Sequence, residues 1–413
     1  MKCAWKRIPC FANKLCESVQ TLTTRSKHFS TVSSNSCALP FFARGLIRLI
    51  KAPIKTLTFG RDGKYINRHV WNLLDLNVKA SNEAEVASMD VSIDQQQGVW
   101  ARLYIPCVAT AAHGCSRLPV IFHFHGGGFA LLRGSTLFYD RYCKLFCKKG
   151  RVVISVDYRR PPEYRCPTAY QDCFSALLWL HKQVMEDDPR AAVISPHTNH
   201  IMHDVYRADV AAKGERAGLV NAKLENIHLA DFCDLSRCFL IGDSAGGNIV
   251  YHVASMAAAA GSSLSPLRIV GCMLLFPFFG GEQRTASELQ LANQFMLDLE
   301  TSDWLWKAFL PQNANRDHPA SNVPKELLAS MGIGSKAHPT QGFMAPWLVA
   351  VAEHDPLKDR QLEYVQALQK GRKPVRLHYY ESGFHCFHLF TRPLSLIGKL
   401  QAHLESFIRV QSV

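Results

Sequence analysis

The sequence predicts an α/β fold in which a mainly parallel sheet is covered by helices on both faces. Apolar runs of strand length recur between residues 120 and 380, and segments with helical periodicity separate them. Strands that alternate with helices of this length are typical of βαβ connections, which place helices over both faces of a sheet. Glycines follow directly after the runs at residues 120–124 and 238–241, where such folds place functional loops.

The predicted strands are short apolar runs bounded by turn residues. They cover residues 120–124, 151–156, 238–241, 269–276, 346–352 and 375–380. Helices are predicted where apolar residues recur three or four positions apart. The clearest sets are Cys173, Ala176, Leu177, Leu180 and Val184, then Leu362, Val365 and Leu368, and finally Leu396, Ile397, Leu400, Leu404, Phe407 and Ile408. Gly371 is placed to end the second of these helices.

The positive charge of the chain belongs mostly to its N-terminal segment. The 413 residues contain 47 Lys and Arg against 34 Asp and Glu, a net charge of +13. Residues 1–60 hold ten of the basic residues and one acid, so they carry +9, and the remainder carries +4. A domain that binds nucleic acid spreads basic charge over its folded surface. The pattern therefore predicts no nucleic-acid partner.

Residues 1–37 form a basic extension rich in Ser and Thr, in which Glu17 is the acid. This composition is typical of a mitochondrial or chloroplast transit peptide, with residues 25–34 as its processing region. The expected location is the cytoplasm, with residues 1–37 as a disordered extension or the product of a wrongly chosen start codon. A mitochondrion or chloroplast is the alternative if these residues are a transit peptide. No apolar core follows Lys6 and Arg7, so a secretory signal peptide is not predicted.

No transmembrane helix is predicted. A span needs roughly 18 apolar residues without charges, and the densest apolar stretch, residues 269–279, is too short. Residues 40–50 form a short amphipathic stretch with Arg44 and Arg48 four positions apart. The alternatives for this stretch are a membrane surface, a pocket that it covers, and packing against the domain.

The cysteine and histidine pattern predicts no metal site. Fourteen cysteines are scattered along the chain, which favours reduced thiols over a disulfide framework. Cys143 and Cys147 are four positions apart, as neighbours on a helix are, and no second pair follows at zinc spacing. A structural role is the default for His123, His125 and His388.

Two regions interrupt the strand-helix alternation. Residues 186–230 are polar with weak periodicity, which indicates an insertion or a flexible excursion. Trp304, Trp306 and Phe309 then recur at helical spacing. Such an aromatic stripe is more often core than binding site, although it could also wall a pocket.

The strongest chemical signal is Ser244, which lies between glycines directly after the predicted strand 238–241 and before an apolar helical run. This is the pattern of a nucleophile elbow, a sharp turn between strand and helix that exposes a serine hydroxyl. Gly242 and Gly246 would let strand and helix approach closely. A bare Gly-x-Ser-x-Gly is common by chance, and the strand-turn-helix context makes it specific.

A second signal is the run of three glycines that follows His125, at the end of the predicted strand 120–124. Attack by a serine on an ester places negative charge on the carbonyl oxygen, and small residues leave backbone N–H groups free to stabilise that charge. Gly127, Gly128 and Ala245 are the predicted oxyanion donors, and Gly126 could substitute for one of them. The alternative, a phosphate-binding loop, lacks the Lys-Ser/Thr of that motif.

A serine nucleophile needs a base, and the base needs an orienting acid. On an elbow of this kind, acid and base follow the serine in that order along the chain. Asp355 closes the predicted strand 346–352 and is the expected acid, with Glu353 and Asp359 as alternatives. His385 follows the next strand and is the expected base, with His388 in reserve.

These motifs together resemble the hormone-sensitive-lipase branch of the α/β-hydrolase fold. HGGGF, GDSAGGN, DPLKDRQ and GFHCF carry that resemblance. GKYINRHVWNLLD, SVDYRRPPEYRCPTAYQDC and FPFFGGEQRT extend it to plant carboxylesterases, which are relatives of the gibberellin receptor. The resemblance covers roughly residues 40–410.

The resemblance implies an eight-stranded hydrolase core preceded by a cap over the pocket. The expected division is an extension at 1–37, a cap at 38–85 and a catalytic domain at 86–413 that contains the insertion 186–230. It also implies a carboxylesterase for short-to-medium acyl esters, with a small-molecule ester as partner and no cofactor. The family's nucleophile, acid and base fall on Ser244, Asp355 and His385. The oligomeric state stays open.

The chain departs from the family pattern in three places. The connection at 186–230 is longer than usual, as a species-specific loop or a retained intron would make it. Arg160 and Pro161 stand where Leu-Ala is usual, and Cys386 stands where glycine is usual. The rival prediction is a small-molecule receptor, because related receptors keep the serine and lose the histidine. The presence of His385 favours the enzyme.

Overall fold

The computed structural model describes residues 58–59, 64–107, 117–187, 228–294, 296–329, 345–390 and 394–412. The predicted extension at 1–37 and the amphipathic stretch at 40–50 lie outside the described residues. So do residues 188–227, which form most of the predicted insertion. The predictions on these segments, and the division into extension, cap and catalytic domain, stay predictions.

One eight-stranded sheet organises the described chain, with strand order β1-β2-β4-β3-β5-β6-β7-β8. The strands are β1 Val86–Asp94, β2 Val99–Pro106, β3 Leu118–Phe124, β4 Val152–Asp157, β5 Cys233–Asp243, β6 Ile269–Leu275, β7 Trp347–His354 and β8 Val375–Phe384. β1 and β2 pair antiparallel, β2 pairs antiparallel with β4, and the pairs from β4 to β8 are parallel. The predicted mainly parallel α/β sheet is confirmed.

The six apolar runs in the sequence correspond to strands β3 to β8. β3 to β7 are buried along most of their length, because a parallel strand is covered on both faces. β1 and β2 were not among the runs identified individually. β1 lies at the sheet edge and leaves several residues exposed or half-buried, so it has no continuous apolar run.

Helices connect these strands and cover the sheet. They are α1 Arg68–Leu74, α2 Leu137–Cys147, α3 Thr168–Asp187, α4 Leu229–Phe232, α5 Ala245–Ala260, α6 Ala286–Gln290, α7 Leu299–Phe309, α8 Val323–Ala329, α9 Lys358–Lys370 and α10 Leu394–Gln411. α3, α9 and α10 match the three predicted periodic segments. Within the described ranges, no helix is long and apolar enough to cross a membrane.

The sheet separates two apolar clusters. Along β3, Phe122 and Phe124 belong to one cluster and Ile121 to the other, because successive strand residues point to opposite faces. Helices α3 and α5 pack on the first face, and α2 and α10 pack on the second. Leu177 and Phe407 are buried members of these two covers. A sheet covered in this way is rigid at its carboxyl edge, where the loops emerge.

The aromatic stripe of α7 lies mainly in the core. Trp306 is buried and stacks on Phe278, with ring centroids 4.5 Å apart. Phe309 is buried and stacks on Phe129. Trp304 is half-buried and packs on the ring of Phe59. The aromatic residues therefore attach α7 to the loops that follow β3 and β6.

Gly398 supplies a stability prediction for the last helix. It lies inside α10 on the exposed side, and a Cβ built there would meet no atom within 4 Å. Alanine loses less backbone entropy than glycine on forming a helix, so Gly398→Ala should stabilise the fold by about 0.5–1 kcal/mol. Urea unfolding of both proteins measures the difference. A destabilised variant would contradict the helical assignment of this residue.

Candidate active site

Four loops at the carboxyl edge of the parallel strands carry the predicted site residues. The glycine run follows β3, Ser244 follows β5, Asp355 follows β7 and His385 follows β8. Parallel strands end at the same edge, so these loops lie close together although they are far apart in sequence. Their side chains meet in a compact, mostly buried group.

Ser244 lies in a sharp turn between β5 and α5. Its φ is 53° and its ψ is −118°, a conformation that costs a non-glycine residue about 1–3 kcal/mol. A Cβ on Gly246 would overlap the carbonyl of Phe124, and a Cβ on Gly242 would overlap Gly246. Glycines at these two positions therefore allow strand and helix to approach closely enough to form the turn.

A chain of hydrogen bonds joins the three side chains that the sequence singles out. His385 Nδ1 lies 2.7 Å from Asp355 Oδ2, and His385 Nε2 lies 3.0 Å from Ser244 Oγ. A carboxylate can only accept a hydrogen bond, so Nδ1 carries the proton and donates it. In the neutral imidazole, Nε2 then accepts the hydrogen of the serine hydroxyl. This arrangement is the one that activates a serine.

Asp355 is oriented by further donors. Its Oδ1 accepts from the backbone N–H of Leu357 at 2.8 Å, and its Oδ2 accepts from Gln361 Nε2 at 3.0 Å. The side chain of Asp355 is fully buried, and these bonds compensate for the loss of water. Gln361 lies on α9, so the helix that covers β7 also holds the acid.

The reserve residues lie elsewhere. Glu353 pairs with Lys358 at 2.8 Å, and Asp359 Oδ2 accepts from the backbone N–H of Ser287. Both ring nitrogens of His388 lack a hydrogen-bond partner within the described chain. The hydrogen bond to Ser244 comes from His385, and the structure brings none of the reserve residues into the group.

The glycine run forms a tight turn beside Ser244. Gly127 and Gly128 have φ values of 90° and 59°, which L-residues with side chains rarely adopt. The N–H of Gly126 donates to the hydroxyl of Tyr139 at 2.8 Å. This bond occupies the N–H of Gly126 in the structure, and the role of Gly126 as a substitute donor stays a prediction. Gly127, Gly128 and Ala245, the first residue of α5, stay the predicted donors.

Apolar side chains border this turn. A Cβ on Gly128 would overlap the side chain of Leu305 on α7. Phe129, the next residue of the turn, is buried and adopts φ 63°. α7 therefore packs directly against the glycine run through Leu305, a residue that the aromatic periodicity of α7 did not single out.

The departures at residues 160 and 386 each have a structural consequence. Arg160 Nη1 donates to the carbonyl of Leu132 at 2.7 Å, which ties β4 to the loop after the glycine run. Cys386 has a φ of 54°, a left-handed conformation that glycine adopts without strain. Cysteine is accommodated here, and its thiol contacts the carboxylate of Asp243.

Sequence reasoning missed the supporting residues Tyr139, Asp243 and Asn248. Asn248 accepts from the hydroxyl of Tyr170 and donates to two backbone carbonyls, which links α5 to α3 and to the loop after β6. Asp243 and Asn248 belong to the quoted GDSAGGN motif, so a signal existed for these two residues. Tyr139 carried no signal, because its role depends on a contact over more than 100 positions in sequence.

Three other histidines near the site are buried. Burial lowers the pKa of His123, His125 and His388 to about 3 each, so all three are neutral at pH 7. His125, the residue before the glycine run, stacks on the ring of Tyr158, and this contact holds the start of the run in place. Among the described residues, no group of three or more His, Cys, Asp and Glu side chains could hold a metal ion.

Comparison with known proteins agrees with this geometry. Residues 121–389 match a family described as the α/β hydrolase fold. A gibberellin receptor of Arabidopsis thaliana is 33% identical over 341 residues, which cover 79% of this chain and 83% of the receptor. Probable carboxylesterase 6 of the same plant is 34% identical over 335 residues, with the same two coverages. The chain belongs to the α/β-hydrolase family.

Solved structures show the same fold. A hyperthermophilic esterase from the archaeon Pyrobaculum calidifontis superposes with a TM-score of 0.59. The match covers 90% of this chain and 98% of the esterase. Its identity is 19%, so this likeness concerns the fold. The chain is a carboxylesterase-like α/β hydrolase, and its relatives include both plant carboxylesterases and gibberellin receptors.

The elbow supplies a second stability prediction. Gly246→Ala should destabilise the protein by about 2–4 kcal/mol, because the new methyl group overlaps the backbone of Phe124 instead of a movable side chain. Gly398→Ala, also a glycine-to-alanine change in a helix, is the matched control and should have the opposite sign. Urea unfolding of both variants measures the two effects. Equal stabilities would contradict the close approach of α5 and β3.

His388 supplies a pH prediction. Its pKa is about 3 in the folded chain and near 6.5 when unfolded, so acidification favours the unfolded state between these values. His388→Phe removes this term without breaking a hydrogen bond. The stability of the variant relative to wild type should rise by roughly 1.4 kcal/mol per pH unit as the pH falls below 6.5. Chemical unfolding at several pH values measures this, and parallel pH curves would contradict it.

Proposed function

We propose that this protein is a serine carboxylesterase that hydrolyses short-to-medium acyl esters. The observation that carries the proposal is the hydrogen-bonded chain Ser244–His385–Asp355 on a strained strand-to-helix turn. The similarity to plant carboxylesterases supports the reaction class. The acyl length rests on the resemblance of the motifs.

In the proposed first step, Ser244 Oγ attacks the acyl carbon of the ester. His385 Nε2 accepts the hydroxyl proton as the C–O bond forms. The 3.0 Å separation of these two atoms is within hydrogen-bonding reach, so no rearrangement is needed before proton transfer. The imidazolium then gives this proton to the leaving alcohol, which yields an acyl-enzyme.

The negative charge that develops on the carbonyl oxygen needs nearby donors. The proposed donors are the N–H groups of Gly127, Gly128 and Ala245. Ala245 begins α5, and the first N–H groups of a helix have no partner within the helix. The positive end of the α5 dipole points to the same place. Each donor of this kind is worth about 10²–10³-fold in rate.

Asp355 keeps His385 in the productive tautomer and stabilises the imidazolium. The bonds from Leu357 N–H and Gln361 to Asp355 hold the carboxylate in place while the charge on His385 changes. In the second half of the reaction, His385 activates a water molecule, which attacks the acyl-enzyme and releases the acid. Ser244 recovers its proton in that step.

A receptor for a small hormone-like acid is the second candidate function, because a gibberellin receptor is among the most similar relatives. A receptor needs a closed pocket and no working base. The hydrogen bond between His385 and Ser244 favours the enzyme, since a binding protein gains nothing from an activated serine. The residues at 38–85 are proposed as the cap over the pocket for either function.

The esterase proposal predicts the kinetics of two variants. Ser244→Ala and His385→Ala should each lower kcat for p-nitrophenyl acetate by at least about 10³-fold, because nucleophile and base act as a unit. His388→Phe is the matched control at the reserve histidine, and it should keep wild-type-like turnover. Wild-type-like turnover of Ser244→Ala would overturn the proposed mechanism.

Covalent labelling separates the enzyme from the receptor. A fluorophosphonate probe should label Ser244 of the wild type and neither Ser244→Ala nor His385→Ala. A folded wild-type protein that binds a gibberellin-like acid but resists the probe would favour the receptor. An acyl-chain-length series of p-nitrophenyl esters then measures the preferred substrate length.

A further inference from the structure

A single carboxylate oxygen, on the residue before Ser244, receives hydrogen bonds from helix α2 and from the loop that follows β8. Asp243 Oδ2 accepts from the hydroxyl of Tyr139 at 2.9 Å. It also accepts from Cys386 Sγ at 3.5 Å. Asp243 directly precedes Ser244, and Cys386 directly follows His385. The carboxylate therefore contacts the neighbour of the base and is itself the neighbour of the nucleophile.

The Tyr139 hydroxyl extends this contact to the glycine run. It accepts from the backbone N–H of Gly126 at 2.8 Å and donates its own hydrogen to Asp243. Gly126 directly precedes the two proposed oxyanion donors. A Cβ at position 126 would lie 2.5 Å from Asp243 Oδ2 and 2.9 Å from the Tyr139 oxygen, so only glycine permits this packing.

The environment makes these bonds effective. Tyr139 is fully buried and Asp243 nearly so. Burial raises the pKa of Asp243 to about 6, and the bonds from Tyr139 and Cys386 oppose that rise. At pH 7 to 8 the group is mostly ionised, and hydrogen bonds to a buried carboxylate are stronger than those between neutral groups.

We propose that Tyr139 and Asp243 are positioning residues that hold the oxyanion loop in register with Ser244, and that Cys386 attaches the base loop to the same carboxylate. This inference rests on the proposed esterase function. Under this proposal, Gly126 is required because its contact with Tyr139 and Asp243 leaves no room for a side chain, and its N–H does not donate to the substrate. A loop displacement of about 1 Å can cost up to about 10²-fold in rate, which sets the scale of the effect.

The chain offers a matched pair of tyrosines to test the proposal. Tyr142 lies on the same helix α2 and is also buried, but its hydroxyl has no hydrogen-bond partner in the described structure. Tyr139→Phe removes the link between Gly126 and Asp243, whereas Tyr142→Phe removes a hydroxyl that makes no link. Both changes delete one oxygen and keep the ring.

Steady-state hydrolysis of p-nitrophenyl acetate at pH 8 measures the effect. Tyr139→Phe should lower kcat by about 10–100-fold with KM within about twofold, because oxyanion donors act in the transition state. The rate of fluorophosphonate labelling should fall in parallel. Tyr142→Phe should keep kcat within about threefold of wild type. A loss of folded protein would also lower the apparent kcat at an unchanged KM, so each kcat is normalised to the folded fraction, which the unfolding curve of that variant measures.

A second variant keeps the proposal testable if Tyr139→Phe fails to fold. Asp243→Asn preserves an acceptor oxygen for Tyr139 but removes the charge, and its kcat should lie between those of wild type and Tyr139→Phe. Equal kcat values for Tyr139→Phe and Tyr142→Phe, or for Asp243→Asn and wild type, would overturn the positioning role. A wild-type protein that neither hydrolyses the ester nor reacts with the probe would instead overturn the esterase function, and this inference with it.

Discussion

The start of helix α5 lies so close to the end of strand β3 that no side chain fits between them. A methyl group on Gly246 would overlap the carbonyl of Phe124, which shows how close the two elements are. Because of this close approach, the chain turns sharply at Ser244 and adopts a conformation that most residues avoid. The same approach brings the first N–H groups of α5 beside the glycine run that continues from β3. The strained turn at Ser244 and the position of the proposed oxyanion donors thus depend on one packing contact.

The polar groups around this contact are held in a mostly apolar environment. Buried polar atoms are costly unless they are paired, and pairing fixes their positions. Asp355 and Asp243 differ in this respect, since both oxygens of Asp355 are paired, whereas Oδ1 of Asp243 has no partner within the described residues. Asp355 accepts from a backbone N–H, an amide side chain and the candidate base, whereas Asp243 accepts from a tyrosine and a thiol. The first arrangement orients a side chain, and the second connects loops.

The fold alone does not separate an esterase from a receptor, since relatives of both kinds share it. The distinction lies in a few atoms at the carboxyl edge of the sheet. A histidine whose Nδ1 faces a carboxylate and whose Nε2 faces a serine hydroxyl is arranged for proton transfer. The side chain of Leu305 on α7 packs against Gly128 and makes none of the hydrogen bonds that join Ser244, His385 and Asp355.

Local sequence determined the α/β class, strands β3 to β8 and the order in which nucleophile, acid and base candidates occur, because buried parallel strands are continuous apolar runs and the elbow needs its glycines nearby. The sequence pattern does not predict the edge strand β1, since a half-exposed strand has no continuous apolar run. Only tertiary structure decided which of Asp355, Glu353 and Asp359 faces His385, and that His388 has no hydrogen-bond partner within the described part of the chain. It also turned Gly126 toward Tyr139. These choices depend on the directions in which side chains and N–H groups point. Residues that are close neighbours in sequence point in different directions in the fold, so the sequence alone does not distinguish them.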